Sequence, residues 1–176
     1  MAPTVWTTVD SPIGELLLGA RQSALVAVSM QPPGSPARAP QGWRRDDADP
    51  VLRAAARELD EYFSGTRTEF SVPLAPRGTP FQQTVWRALC EIPYGTTTTY
   101  GALARRIGHD LTASRAVGLA NGRNPIAVIV PCHRVIGADG TLTGYGGGLP
   151  RKRWLLDHEA QVRGPLASLP LFAGVG

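Results

Sequence analysis

Apolar positions come in short runs at the start of the chain and at helical spacing further along. Val5–Val9, residues 15–20 and Ala24–Met30 are brief stretches rich in Val, Leu and Thr. Ser11-Pro12-Ile13-Gly14 separates the first two, and Arg21-Gln22-Ser23 the last two. Short runs with tight connections predict an antiparallel meander. Residues 31–49 are dense in Pro, Gly and charge without a period, and read as a surface loop. Asp49-Pro50 then starts a helix, with Asp as the cap and Pro in the first turn. Leu52, Ala56, Leu59 and Phe63 share one face of it, and Gly65 stops it. Residues 69–72 fit a further strand, and residues 73–78 a junction between domains.

The second half carries the helical period. Thr79-Pro80 repeats the cap-plus-proline start, and Phe81, Val85, Leu89 and Ile92 form one apolar stripe. Thr99 is placed to cap a short helix over 100–107, ended by Gly108, and Thr112 to cap another over 113–121, ended by Gly122. Two short helices joined by a few residues are the sequence form of a helix-turn-helix. An apolar run over 125–130 leads into Pro131-Cys132-His133-Arg134-Val135. Turn-rich residues 137–148 follow, then a last helix over 151–160 and a tail over 164–176. The expected organisation is an N-terminal α/β domain over 1–76, a C-terminal domain over 77–163 and the tail.

Composition narrows the class. The chain has 176 residues, 43% of them hydrophobic and 18% charged, which suits a folded protein with one or two cores. Residues 1–76 hold seven arginines against nine acids, a balance of −2. The remainder holds eleven basic residues against five acids, a balance of +6. A basic C-terminal half suits a polyanionic partner, and equally an inert basic face. Two cysteines close at most one bridge, so this is no disulfide scaffold. No apolar run reaches the ~20 residues of a membrane span. A soluble cytoplasmic protein with reduced thiols is the expectation.

Cys132, beside His133, has the chemistry of a nucleophile, because the thiolate is the reactive form and a nearby base favours it. Side chains of adjacent residues point apart, so help from His133 calls for a bridging water and a third group that orients the ring. Glu159 fits that third role, although His158 is its nearer neighbour in sequence. A buried, inert cysteine beside a structural histidine is the plain alternative. Cys90, on the 81–92 stripe, reads as a small packed hydrophobe. Arg115 stands among Ala113, Ser114, Ala116 and Gly118, small neighbours that let a backbone approach a groove closely. A solvated arginine on an amphipathic helix is the competing reading.

The segment Asn124-Pro125-Ile126-Ala127-Val128-Ile129-Val130-Pro131-Cys132-His133-Arg134-Val135 resembles the active-site motif of the O6-alkylguanine-DNA alkyltransferases, also called methylated-DNA–protein-cysteine methyltransferases. Tyr100-Gly101-Ala102-Leu103-Ala104 is similar to the first helix of that family's helix-turn-helix, and Ser114-Arg115-Ala116-Val117-Gly118 to its recognition helix. Tyr145 with its glycines, and Trp154-Leu155-Leu156-Asp157-His158-Glu159, also fit. The resemblance covers residues 79–160 in detail and the N-terminal part in layout.

The resemblance implies an α+β fold, with a ribonuclease H-like N-terminal domain carrying a small antiparallel sheet and a mainly helical C-terminal domain. It implies irreversible transfer of an alkyl group from guanine O6 to Cys132, with O4-alkylthymine a further candidate donor. His133 would relay the thiol proton through water, held by Glu159. Tyr100 would donate to the guanine ring nitrogen, and Asn124 would brace the active-site loop. The main chain at Cys132 and Val135 would accept from the exocyclic amine, Tyr145 would wall the pocket, and the Gly146 amide would donate. Ser114, Arg115 and Ala116 would meet the minor groove of double-stranded DNA, with Arg115 filling the space of a flipped nucleotide.

No cofactor is expected. No metal is expected either, since residues 1–76, where some members bind zinc, contain no Cys and no His. Gly146 stands where some members have serine, and Ala127 where some have proline. A monomer is expected in solution, with cooperative binding along DNA left open. Three other functions compete: a lesion-binding relative without transfer, a helix-turn-helix regulator, and a cysteine hydrolase. The first lacks the acceptor cysteine that is present here. The second has no need of it. The third leaves the basic half and Arg115 without a role.

Overall fold

The computed structural model describes residues 2–164. Apart from Gly164, the expected tail lies outside the described residues. β1 (Val5–Val9), β2 (Leu16–Arg21) and β3 (Ala24–Met30) form the meander, with Val9 opposite Leu16 and Leu16 opposite Met30. The sheet has the order β3-β2-β1-β4 and is mixed rather than purely antiparallel, because β4 (Arg44–Arg45) runs parallel to β1. This corrects the reading of 31–49 as loop alone. Two residues with charged side chains leave no apolar signature, and their pairing is by backbone.

On β2, Leu16, Leu18 and Ala20 face the core, while Leu17 and Gly19 point the other way. The Trp43 ring lies against Gly19, where an added Cβ would run into it. Helix α1 (Pro50–Phe63) is capped by Asp49, whose carboxylate accepts from the backbone N–H of Val51 and Leu52. Residues 69–72 are not a strand. The N–H groups of Ser71 and Val72 donate instead to Glu58 Oε2, at 2.8 and 3.2 Å, and so bind this segment to α1.

Helix α2 (Pro80–Cys90) opens with a capping box between Thr79 and Gln82. Strand β5 (Thr98–Thr99) leads into α3 (Tyr100–Arg106), capped by Thr99. The next cap is Asp110, not Thr112. Its side chain accepts from the Thr112 N–H and starts a 3-10 turn, Leu111–Ala113, that runs on into α4 (Ser114–Gly122). A 3-10 turn over Cys132–Arg134 precedes β6 (Val135–Ile136), which pairs with β5, and α5 (Leu149–Arg163) closes the described chain.

One apolar core joins the two halves, from Val5 and Leu18 through Val85 and Leu103 to Leu155. The outer edge of β3 is covered from both halves. Leu25 exchanges backbone bonds with Pro73 and Ala75, and Val28 with Pro125 and Ala127. An edge covered in this way offers no pairing template to another chain. It also ties the sheet to the segment that leads into Cys132.

Candidate active site

The backbone ahead of Cys132 is tightly wound. Ile129 N–H bonds Ala127 O at 2.8 Å, a three-residue turn that holds Val128 at φ +69°. A β-branched residue there is strained, and surrounding structure must hold it. Asn124 supplies part of that hold. Its Nδ2 donates to Val130 O at 2.8 Å, and its Oδ1 accepts from the Ile126 N–H at 3.0 Å. A second three-residue turn at Pro131 bonds Cys132 N–H to Val130 O at 2.8 Å. Asn121, 3% exposed on α4, donates to the Cys132 carbonyl at 3.3 Å.

Cys132 is 6% exposed and sits in a cleft of about 210 Å³. Met30, Asn124, Ala127, Tyr145 and Gly146 are among the other lining residues. Burial pushes the Cys132 thiol up, with the Asn124 side chain and the Lys152 charge pulling the other way. The resting group is therefore a thiol, and its proton must go elsewhere when sulfur reacts.

His133 is fully buried, with Nε2 2.7 Å from Glu159 Oε1. Burial lowers its pKa more than Glu159 raises it, so the ring rests neutral. With Nε2–H directed at a carboxylate, Nδ1 is the free acceptor, and it has no hydrogen-bond partner among the described residues. Glu159 collects five donors. Oε1 accepts from Tyr62 Oη, His133 Nε2 and Arg134 Nη2, and Oε2 from Arg134 Nε and the Gly95 N–H. Burial alone would push this carboxyl up. The bonds from His133 and Arg134 outweigh it and hold the group well below the usual carboxylate range. His158, the nearer neighbour in sequence, turns away and bonds the Tyr62 carbonyl at 2.8 Å.

Lys152 is fully buried on α5, and Nζ donates to Val135 O at 2.6 Å and Thr143 O at 2.9 Å. The Cys132 carbonyl on the other side of the turn accepts from both Asn121 Nδ2 and the Val135 N–H. Tyr145 lies across the cleft, its hydroxyl pushed up by burial and by Cys132. A Cβ on Gly146 would meet nothing within 4 Å, so the wall is open there.

Tyr100 stands apart from the residues that line the cleft. Its hydroxyl accepts from Thr143 Oγ1 at 3.2 Å, and its ring lies beside Gly118. Arg115 and Ala116 are exposed on α4, while Ser114 is half-buried and donates to Leu111 O at 2.6 Å. Cys90 ends α2 as an exposed residue, not the packed hydrophobe expected.

Four residues of this arrangement have no counterpart in the sequence reading: Tyr62, Asn121, Arg134 and Lys152. Arg134 had a signal in its place beside Cys132-His133. Lys152 had one in its helical spacing to Leu155 and Glu159. Tyr62 had none, because its partner lies 97 residues away.

A cleft ending on one buried thiol, with a neutral histidine and an ionised glutamate behind it, defines a protein that reacts through cysteine. A family model for the DNA-binding domain of 6-O-methylguanine DNA methyltransferase matches residues 80–161. A second, for the ribonuclease-like domain of the same protein, matches residues 4–76. The methylated-DNA–protein-cysteine methyltransferase of Mycobacterium tuberculosis H37Rv is 52% identical over 168 residues, 95% of this chain and 98% of that one. The protein of that name from Methanosarcina acetivorans is 51% identical over 150 residues, 85% of this chain and 94% of that one. The crystal structure of the Mycobacterium tuberculosis protein in complex with DNA superposes with a TM-score of 0.82 at 51% identity, covering 90% of this chain and 94% of that one. The chain belongs to the O6-methylguanine DNA methyltransferase family.

Proposed function

We propose that this protein repairs alkylated DNA by moving the alkyl group from guanine O6 to its own Cys132. The single observation that carries the reading is the buried Cys132 thiol at the cleft, with the His133–Glu159 pair beside it. Sγ attacks the alkyl carbon, the S–C bond forms and the C–O bond breaks. The thiol proton passes through a bridging water to His133 Nδ1, and Glu159 holds the resulting imidazolium. Tyr100 donates to the departing base as negative charge develops on its ring. The backbone carbonyls of Cys132 and Val135 receive the exocyclic amine, Tyr145 walls the base, and Gly146 offers its amide. A thioether is a poor leaving group, so each protein molecule repairs one lesion. No cofactor takes part.

Double-stranded DNA is the proposed partner, and the cytoplasm the proposed place. No helix among the described residues is long and apolar enough to cross a membrane. Helices α3 and α4 act as a helix-turn-helix within a C-terminal domain over 77–163, next to the N-terminal domain over 1–76. Ser114, Arg115 and Ala116 start α4, and the exposed Arg115 fills the stack when the target nucleotide swings out.

The test is intact-protein mass spectrometry after incubation with a duplex carrying one O6-methylguanine, followed by peptide mapping. The expected result is one added methyl on the Cys132 peptide, saturating at one per protein. Cys132→Ser should gain no mass and still bind the duplex. Lesion binding without mass gain by the unaltered protein would make it a damage-recognition protein instead.

A further inference from the structure

The glutamate behind His133 takes one of its five donors from the N-terminal half. Tyr62, in the last turn of α1, is fully buried, and its hydroxyl donates to Glu159 Oε1 at 2.8 Å. That is the same oxygen that faces His133 Nε2 at 2.7 Å. The Tyr62 ring is held on several sides. Phe63, Tyr94 and His158 meet it edge-on, with centroids at 5.2, 6.1 and 5.4 Å, and Phe70 packs at 5.6 Å. The Tyr62 carbonyl is fixed in turn by His158 Nε2. A side chain held this way has its O–H aimed. Tyr94 shows that the aim is not generic: its hydroxyl is also buried but has no partner among the described residues, and its ring instead takes the Arg134 guanidinium at 5.5 Å.

We infer that Tyr62 is a positioning residue of the proton relay: its hydroxyl holds Glu159 Oε1 and sets how strongly that carboxylate draws the proton of His133. The inference rests on the reading of His133 as the proton acceptor. The N-terminal half then has a chemical role, supplying the hydrogen bond that tunes a base in the other half.

The sign follows from shared charge. A donor on Oε1 withdraws negative charge from the oxygen that faces the imidazole. Remove it, and Glu159 stabilises the imidazolium more, so the His133 pKa rises. The other charged and titratable groups around the ring keep their places. Lys152, like Glu159, comes from α5, and Arg134 and Cys132 from the turn itself. Arg134 and Lys152 push the His133 pKa down, and Glu159 pushes it up. Tyr62 acts only through Glu159. Burial and the carboxylate push the Tyr62 hydroxyl far up, so it remains a donor across the working pH range.

The experiment compares the full-length protein with Tyr62→Phe and with 3-fluorotyrosine incorporated at position 62. The fluorinated hydroxyl is more acidic and donates more strongly. Single-turnover methyl transfer from an O6-methylguanine duplex is measured across pH, and the His133 Nε2–H resonance is followed by NMR. Tyr62→Phe should move the acidic limb of the rate profile up by about half a unit and shift the resonance downfield. The fluorinated protein should move both the opposite way. A purely structural role would lower the unfolding temperature and leave both readouts in place. If Tyr62→Phe does not fold, the fluorinated protein decides alone. Profiles and resonances that overlay the unaltered protein overturn the inference, while His133→Gln still stopping transfer would keep the relay reading intact. A resonance that moves while the rate profile stays fixed overturns the relay reading, and the role of Tyr62 in it.

Discussion

Glu159 is ionised in a place where burial alone would neutralise it. Its five donors make it the polar hub of the molecule, and the cost of disturbing it follows. Glu159→Gln leaves the Arg134 guanidinium buried without its counter-charge. We expect a loss of about 3–5 kcal/mol at pH 7, the usual cost of breaking a buried pair. The folded pKa of Glu159 is depressed, so its contribution is present above the unfolded value, about 4.3. It is lost as pH falls through the folded value. Urea unfolding of the two proteins should therefore differ by a steady amount from neutral pH down to about pH 4 and draw together progressively as pH falls further; a gap that stays constant in acid would show that ionisation is not the source. The proximity of Cys132, His133 and Glu159 was legible at this scale, because Cys132 and His133 are adjacent and their motif is distinctive. Tyr62 was not, and Lys152 was marked only by its helical spacing to Leu155 and Glu159. A buried tyrosine or lysine is recognised by its partner, and those partners are brought close only by folding.

Among the elements, α5 shows why hydropathy falls short. Its buried face is Lys152, Leu155 and Glu159, two charges around one leucine, so charge no longer marks the solvent side. The sheet was legible where its strands alternate or run apolar, as in β1 to β3, and illegible at β4, where Arg44 and Arg45 pair by backbone. The segment over 31–49 is more than a connector, since it carries β4 and lays Trp43 on Gly19. Gly19→Ala puts a methyl into that ring. We expect a loss of about 1–3 kcal/mol, the range for overpacking, read as a lower urea midpoint with an unchanged slope. Wild-type stability would show that Trp43 moves aside freely. The caps at Asp49, Thr79 and Thr99 were readable, while Thr112 misled. Asp110, two residues earlier, accepts from the N–H of Thr112 itself and starts a 3-10 turn instead.

For the whole molecule, the proposed function divides the work between the cleft and the exposed face of α4. In it the cleft takes the base, and α4 meets the duplex from which the base comes. Arg115→Ala should therefore slow repair of duplex by an order of magnitude or more, since extrusion from a paired stack costs a few kcal/mol. Reaction with free O6-benzylguanine should hardly change. Equal losses on both substrates would remove Arg115 from the extrusion step. The mutant's DNA affinity should also depend less steeply on salt, by about one counterion.

The order in which the relay is assembled has a consequence for synthesis. Cys132 leaves the ribosome before α5, which brings Glu159 and Lys152. Tyr62 has by then been waiting since early in translation. Under the proposed relay, a nascent chain carries its thiol without the groups assigned to activate it, and is expected to become competent only when the final helix docks. For a protein proposed to react once, that timing would keep an unfinished copy from being spent.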